Sequence, residues 1–183
     1  MSESFESHNE SGSSIRTAIM ALFLSLAPAS AKAELPECHD IGSNPAPAKS
    51  VHLNGGEDAS VICVVDGDTF DVRLKDERSL RIRIWGVDCP ESRENKKCMK
   101  NGGAQCESEI KRGKKAKELT KKLLAGKKVT LEGPFSNNGE RKLSYVRVKG
   151  QDLGETLIGS CQCREDYSHK RKSEYRKKAK LCK

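Results

Sequence analysis

Between residues 59 and 85 apolar side chains recur at alternate positions in three short runs, each stopped by turn-forming residues. Residues 60–65 make the first run, and Asp66-Gly67-Asp68 supplies turn chemistry before residues 69–74, which predicts a hairpin. In residues 79–85, Leu80, Ile82 and Ile84 fall on one face and Arg81, Arg83 and Trp85 on the other, so a third strand continues the meander. The period then lengthens. Behind Ser108 as a cap, Ala116, Leu119, Leu123 and Leu124 share one helical face, and Gly126 stands just past the end as a stop. Residues 128–132 and 143–148 read as a fourth and a fifth strand, with 134–140 as a turn-like connection. Residues 155–160 predict a short helix. A last helix, opened by Ser168, carries Tyr175, Ala179 and Cys182 on one face among many lysines and arginines.

Five short strands with a helix between the third and the fourth predict an α+β, mainly β chain: a five-stranded OB-fold barrel with about three helices. Composition keeps the core small, because charged residues (33%) nearly match hydrophobic ones (35%) in a chain of 183 residues. That is one domain with extras. Residues 1–33 read as a signal peptide: 17–27 form an apolar run too short to span a membrane, and Ala31-Lys32-Ala33 offers small residues for cleavage, although Glu3, Glu6 and Glu10 make the leading segment acidic. Residues 34–58, with three prolines and little periodicity, read as a flexible N-terminal arm tethered by Cys38, and residues 59–183 as the functional domain.

Charge and cysteine sharpen this. The net charge of +8 becomes +9 once residues 1–33, with two basic and three acidic residues, are removed, and the basic residues cluster, which suggests a polyanionic partner. All eight cysteines lie beyond residue 33, and an even count in an exported chain predicts disulfides, with periplasmic or secreted localisation. Spacing suggests a local Cys98 to Cys106 bridge and a bond from Cys182 to Cys161 or Cys163. No Cys-x2-Cys pair points to zinc, and no histidine is embedded among the strands, so histidine-based triads and zinc catalysis are set aside.

What remains for chemistry is carboxylates and arginines. Asp66 and Asp68 lie in the first hairpin turn, and Asp88 and Glu91 at the end of the third strand flank a stiff Cys89-Pro90 step. If neighbouring strands bring the two ends together, three or four carboxylates gather at one rim, and a hard divalent cation with oxygen ligands relieves their repulsion. Arg83, on the strand face away from the core, and Arg141, at the start of the fifth strand, can grip phosphate oxygens in pairs. The set suggests phosphodiester chemistry.

Val64-Val65-Asp66-Gly67-Asp68-Thr69, then Arg83-Ile84-Trp85-Gly86-Val87-Asp88-Cys89-Pro90-Glu91, Gly113-x-x-Ala116 and Arg141-x-Leu143-x-Tyr145 resemble the staphylococcal nuclease (thermonuclease) family over roughly residues 59–183. The resemblance implies a calcium-dependent nuclease acting on DNA and RNA and leaving 3′-phosphates. It implies calcium held by Asp68, Asp88 and the main-chain carbonyl of Cys89 with Asp66 close by, Glu91 as general base, and Arg83 and Arg141 as stabilisers of charge on the phosphoryl oxygens. Tyr167 falls near a nucleotide-contacting tyrosine of the family. Asn138-Gly139 replaces a Lys-Tyr pair, and Glu140 replaces a glycine. These departures frame the alternative, an OB-fold protein that binds nucleic acid without cutting it. A monomer without stable membrane association is expected.

Overall fold

The computed structural model describes residues 34–40, 42–100, 102–166 and 173–182. The expected signal peptide, Tyr167 and Ser168 lie outside these residues.

Strands β1 (Glu57–Asp66), β2 (Thr69–Arg73) and β3 (Ser79–Ile84) form the predicted antiparallel meander. Strand β4 (Val87–Asp88) follows at once, and helices α1 (Lys96–Lys100) and α2 (Gly103–Leu124) lead to the antiparallel pair β5 (Lys128–Asn138) and β6 (Arg141–Val148). β1 also pairs with β5, and β3 closes the circle by running parallel to β6 through Ile82↔Lys142, Arg83↔Leu143 and Ile84↔Ser144. The result is a closed five-stranded mixed barrel, an OB-like α+β fold. Strand β7 (Gln151–Asp152) extends β6, helix α3 (Leu153–Gly159) follows, β8 (Arg164–Glu165) pairs with β4, and helix α4 (Ser173–Ala179) ends in a 3-10 turn, Lys180–Cys182.

Alternation fills the barrel as expected: Leu80, Ile82 and Ile84 point inward with Phe70, Val72, Leu131 and Val146, and all are fully buried. α2 covers the barrel with small residues as much as large ones. Gly113, Ala116, Thr120 and Leu124 are buried, whereas Leu119 and Leu123 only pack at the margin. α4 docks through Tyr175, whose ring is fully buried and whose hydroxyl donates to Asp152 Oδ1 at 2.9 Å; burial and the Asp152 charge keep the phenol protonated.

Three local expectations change. α2 begins at Gly103 instead of Ser108, and α1 precedes it, with Asn95 Oδ1 accepting from the Cys98 amide at 2.8 Å; the Cys98–Cys106 disulfide ties these two helices. A polar helix without an apolar stripe leaves no periodic signal, so the segment reads as loop. Residues 134–138 are strand, not turn, because the β5–β6 ladder shifts register between Glu132 and Ser136 and then resumes as far as Asn138↔Arg141. Proline and glycine at that shift mimic a turn in sequence.

Among the described residues of 34–56 the one regular element is a 3-10 turn, Ala48–Ser50, yet the segment's described residues run along the barrel. Cys38 is bonded to Cys63, Val51 and Ala48 are buried, and bridges join Glu37 to Val64 and Ala46 to Leu80. Glu37 reaches the basic helix: Lys117 Nζ lies 2.9 Å and Lys121 Nζ 3.5 Å from its carboxylate, and the Lys117 hydrogen bond holds its pKa below the usual value. Two lysines of α2 are thereby spent within the fold, since the Lys117 side chain is only 4% exposed. The remaining bridges are Cys161–Cys182, one of the two alternatives, and Cys89–Cys163, which joins β4 to β8. Four disulfides fit an oxidising environment. No helix among the described residues is long and apolar enough to cross a membrane.

Candidate active site

The β1–β2 turn and the β3–β4 end meet at one rim of the barrel. Close packing under the turn fixes it: a β-carbon at Gly67 would lie 2.9 Å from the β-carbons of both Ala116 and Cys89, and the Thr120 hydroxyl donates to the Gly67 carbonyl at 2.6 Å. Asp68 leaves this turn pointing inward and is 2% exposed. Its Oδ2 accepts from the Cys89 amide at 3.1 Å and its Oδ1 from the Thr69 hydroxyl at 2.8 Å. Burial pushes its carboxyl above the usual range, while the Arg83 charge and these hydrogen bonds oppose the rise.

Arg83 projects from β3, paired with Thr69 across the sheet, and its Nη2 stands 3.1 Å from both Asp68 Oδ2 and Asp88 Oδ1. On the other side of Asp88, Arg164 of β8 donates to Oδ2 from Nε at 2.8 Å and Nη2 at 2.7 Å. The Cys89–Cys163 disulfide sits one residue beyond each of these partners, so it holds the Asp88–Arg164 pair in register.

Glu91 follows the Cys89-Pro90 step, and the next amide, Ser92, donates to Asp66 Oδ1 at 3.1 Å. Helix α2 supports this loop from below. A β-carbon at Gly113 would collide with the carbonyl group of Glu91, so only glycine lets the helix approach there. Gly113→Ala is therefore expected to destabilise the fold by about 1–3 kcal/mol through overpacking and to displace Glu91. Thermal melting together with activity per folded molecule checks this, and a variant with both unchanged would contradict the packing.

Partial burial, followed by the negative charges of Asp66 and Asp68, raises the Glu91 pKa. Among the described residues its carboxylate makes no hydrogen bond or ion pair within the fold, although the side chain stands at the cleft mouth. Arg141 opens β6 on the opposite wall, with Nη2 3.2 Å from Asn138 Oδ1; burial and the Arg83 charge lower its pKa, but a guanidinium remains charged near neutrality. Asn138 and Gly139 form the tip of this wall.

Asp66, Asp68, Arg83, Cys89, Glu91 and Arg141 thus line one cleft of about 350 Å³. Asp88 does not line it and is linked to it through Arg83. Tyr167 is outside the described residues. Two residues were missed. Arg81 also lines the cleft, locked onto fully buried Asp71 at 2.7 and 2.9 Å, and its place two residues before Arg83 on the same strand face was a readable signal. Arg164 had none, since only the fold and the Cys89–Cys163 bond bring it to Asp88.

The donor set suits a hard cation. It consists of carboxylates and backbone oxygen, and the repulsion from Asp66 and Asp68 that adds to burial in raising Glu91 is a field a divalent cation relieves. Asp68 already has both oxygens engaged, Oδ2 by the Cys89 amide and Arg83 and Oδ1 by the Thr69 hydroxyl, and Asp66 Oδ1 accepts from the Ser92 amide, so a cation held here would have to draw Arg83 away from Asp68. Asp88 has both oxygens on arginines, so its use as a ligand requires at least one of those pairs to open.

Two comparisons bear on identity. No curated protein matches the chain. The family model described as staphylococcal nuclease homologue matches residues 81–182, more than half of the chain, taking in Arg83, Asp88, Glu91 and Arg141 but beginning after the Asp66–Asp68 turn.

Proposed function

The chain belongs to the family of staphylococcal nuclease homologues, and from that premise we propose that it is an exported, calcium-dependent nuclease that hydrolyses phosphodiester bonds of DNA, RNA or both. The observation that carries the reading is the convergence of Glu91 with Arg83 and Arg141 across one carboxylate-rich cleft.

In this reading the two guanidinium groups bind the non-bridging oxygens of the scissile phosphate, and both approach from walls fixed by the barrel. Glu91 takes a proton from water, which attacks phosphorus in line with the departing 5′-oxygen. The phosphate stays on the 3′ side, and the 5′-oxygen leaves as a hydroxyl after taking up a proton. As negative charge grows on the phosphoryl oxygens, Arg83 and Arg141 hold it without having to reorient. Bound calcium would add electrophilic stabilisation of the same oxygens, with Asp68, Asp88 and the Cys89 carbonyl as its ligands and Asp66 beside them.

Glu91 makes no hydrogen bond or ion pair among the described residues, which leaves its carboxylate available to take a proton from water. Exposed Lys111, Lys114, Lys115 and Lys122 on α2 supply sequence-independent phosphate attraction. The expected signal peptide and the four disulfides support export. One observation favours the alternative, a barrel that binds nucleic acid without cutting it: both oxygens of Asp88 are held by arginines.

Heat-denatured DNA and RNA incubated with residues 34–183 in millimolar calcium, with an EGTA control, separate the two. Degradation that EGTA abolishes is expected. Salt-dependent binding with no cleavage in calcium would select the alternative.

A further inference from the structure

The cleft does not end at Arg141. A second groove, of about 640 Å³, adjoins it and shares two of its residues, Arg81 and Glu140. Its outer wall is the segment Ser43 to Pro47, and its floor includes Arg78 and Ser79. Most of these residues precede the part of the chain that matches the family, so the groove is built by this chain's own N-terminal segment.

The wall is anchored. The Ala46 amide donates to the Ser79 carbonyl at 2.8 Å, and the Ser43 hydroxyl donates to Asp71 Oδ2 at 2.6 Å. Pro45, Ala46 and Pro47 present apolar rings and a methyl group to the groove.

Its charges decide what it can take. Arg81 is committed to buried Asp71, and Arg78 is gripped by Asp76 from Nε at 2.8 Å and Nη2 at 2.6 Å. Glu140, exposed at the β5–β6 turn, makes no ion pair or hydrogen bond among the described residues and meets only the longer-range field of Arg81, so its carboxylate keeps open acceptor atoms at the junction with the cleft. Open carboxylate acceptors favour a hydrogen-bond donor there, and the apolar Pro45 and Pro47 rings offer a surface against which a base can pack.

Resting on the nuclease reading above, we infer that this groove is a base-recognition subsite for the nucleotide next to the scissile phosphate, with Glu140 as the specificity-determining residue and guanine as the preferred base. A carboxylate accepts only, and guanine alone presents two adjacent donors, N1–H and the N2 amino group, on an edge left free in single strands. Thymine and uracil offer one donor flanked by two acceptors that the carboxylate repels.

The test reads binding apart from cleavage. In EGTA, fluorescence anisotropy with the Glu91→Gln protein and short single-stranded oligonucleotides varied at one base is expected to show one position where guanine binds about tenfold better than thymine, the scale of a good base-edge contact. Adding Glu140→Gln should cut that ratio to about twofold or less, because an amide cannot accept two hydrogen bonds in parallel. Melting of the Glu140→Gln protein, altered only at an exposed turn, confirms that it is folded. Equal binding of all bases, an unchanged guanine ratio in Glu140→Gln, or a uniform gain for every oligonucleotide would overturn the subsite. None of these outcomes depends on cleavage, so failure of the nuclease reading shows separately as loss of calcium-stimulated turnover with the base preference intact.

Discussion

Glu91→Gln is expected to lower kcat by about 10²- to 10⁴-fold, the range of a lost general base, with nucleic-acid binding in EGTA largely retained. The substitution keeps the shape of the side chain and removes its negative charge together with its ability to accept a proton. Glu91 supports nothing else in the described fold, since no hydrogen bond or ion pair rests on its carboxylate. Loss of turnover with unchanged melting would therefore report on chemistry. The pH profile gives an independent readout. Glu91 acts when deprotonated, and partial burial with the charges of Asp66 and Asp68 raises its pKa in the metal-free cleft, so activity at limiting calcium should rise with pH as this carboxyl ionises. Asp66→Asn removes one of those charges and should shift the rise to lower pH. A profile unmoved by Asp66→Asn and still present in Glu91→Gln would assign the base elsewhere.

The second large effect is expected from Arg141→Gln, a drop of about 10²- to 10³-fold in kcat, comparable to removing one charge-stabilising donor from a transition state. Arg141 is a better probe than Arg83. Arg83 also neutralises buried Asp68 and half-buried Asp88, so removing it leaves an unpaired buried charge and destabilises the barrel. Among the described residues Arg141 donates only to Asn138, at 3.2 Å. Arg141→Lys should recover little, because a compact ammonium cannot make paired contacts with two phosphate oxygens. A loss confined to KM would mean that Arg141 binds substrate and transition state equally.

Legibility in the sequence followed the reach of each interaction. Strict alternation in β3 reveals both its core face and the arginine face, because period 2 is a property of the strand alone. The hairpin turn at Asp66–Asp68 and the stiff step before Glu91 are likewise local. That they meet is visible only by assuming that neighbouring strands pair, which the β2–β3 register confirms through Thr69↔Arg83. Interactions set by the closed barrel left no trace. Arg164 reaches Asp88 across 76 residues, and Glu37 reaches Lys117 and Lys121 from a segment that reads as an arm. Lysines on a helix look like a solvated face in sequence, and only the fold shows that Lys117 is turned inward. The early start of α2 was hidden because residues 103–107 carry no apolar stripe. The Cys98–Cys106 bridge was readable for the opposite reason, since short separation restricts the choice of partner.

The central claim is that this cleft cuts a phosphodiester bond with Glu91 as the base. Its most direct test is single-turnover cleavage of a short end-labelled single-stranded oligonucleotide across a calcium titration, with the chemical ends of the products determined. The account predicts saturable activation by calcium and fragments ending in 3′-phosphate and 5′-hydroxyl, both lost in Glu91→Gln. An oligonucleotide that is bound but stays intact at every calcium concentration, or is cut equally well by Glu91→Gln, would contradict it.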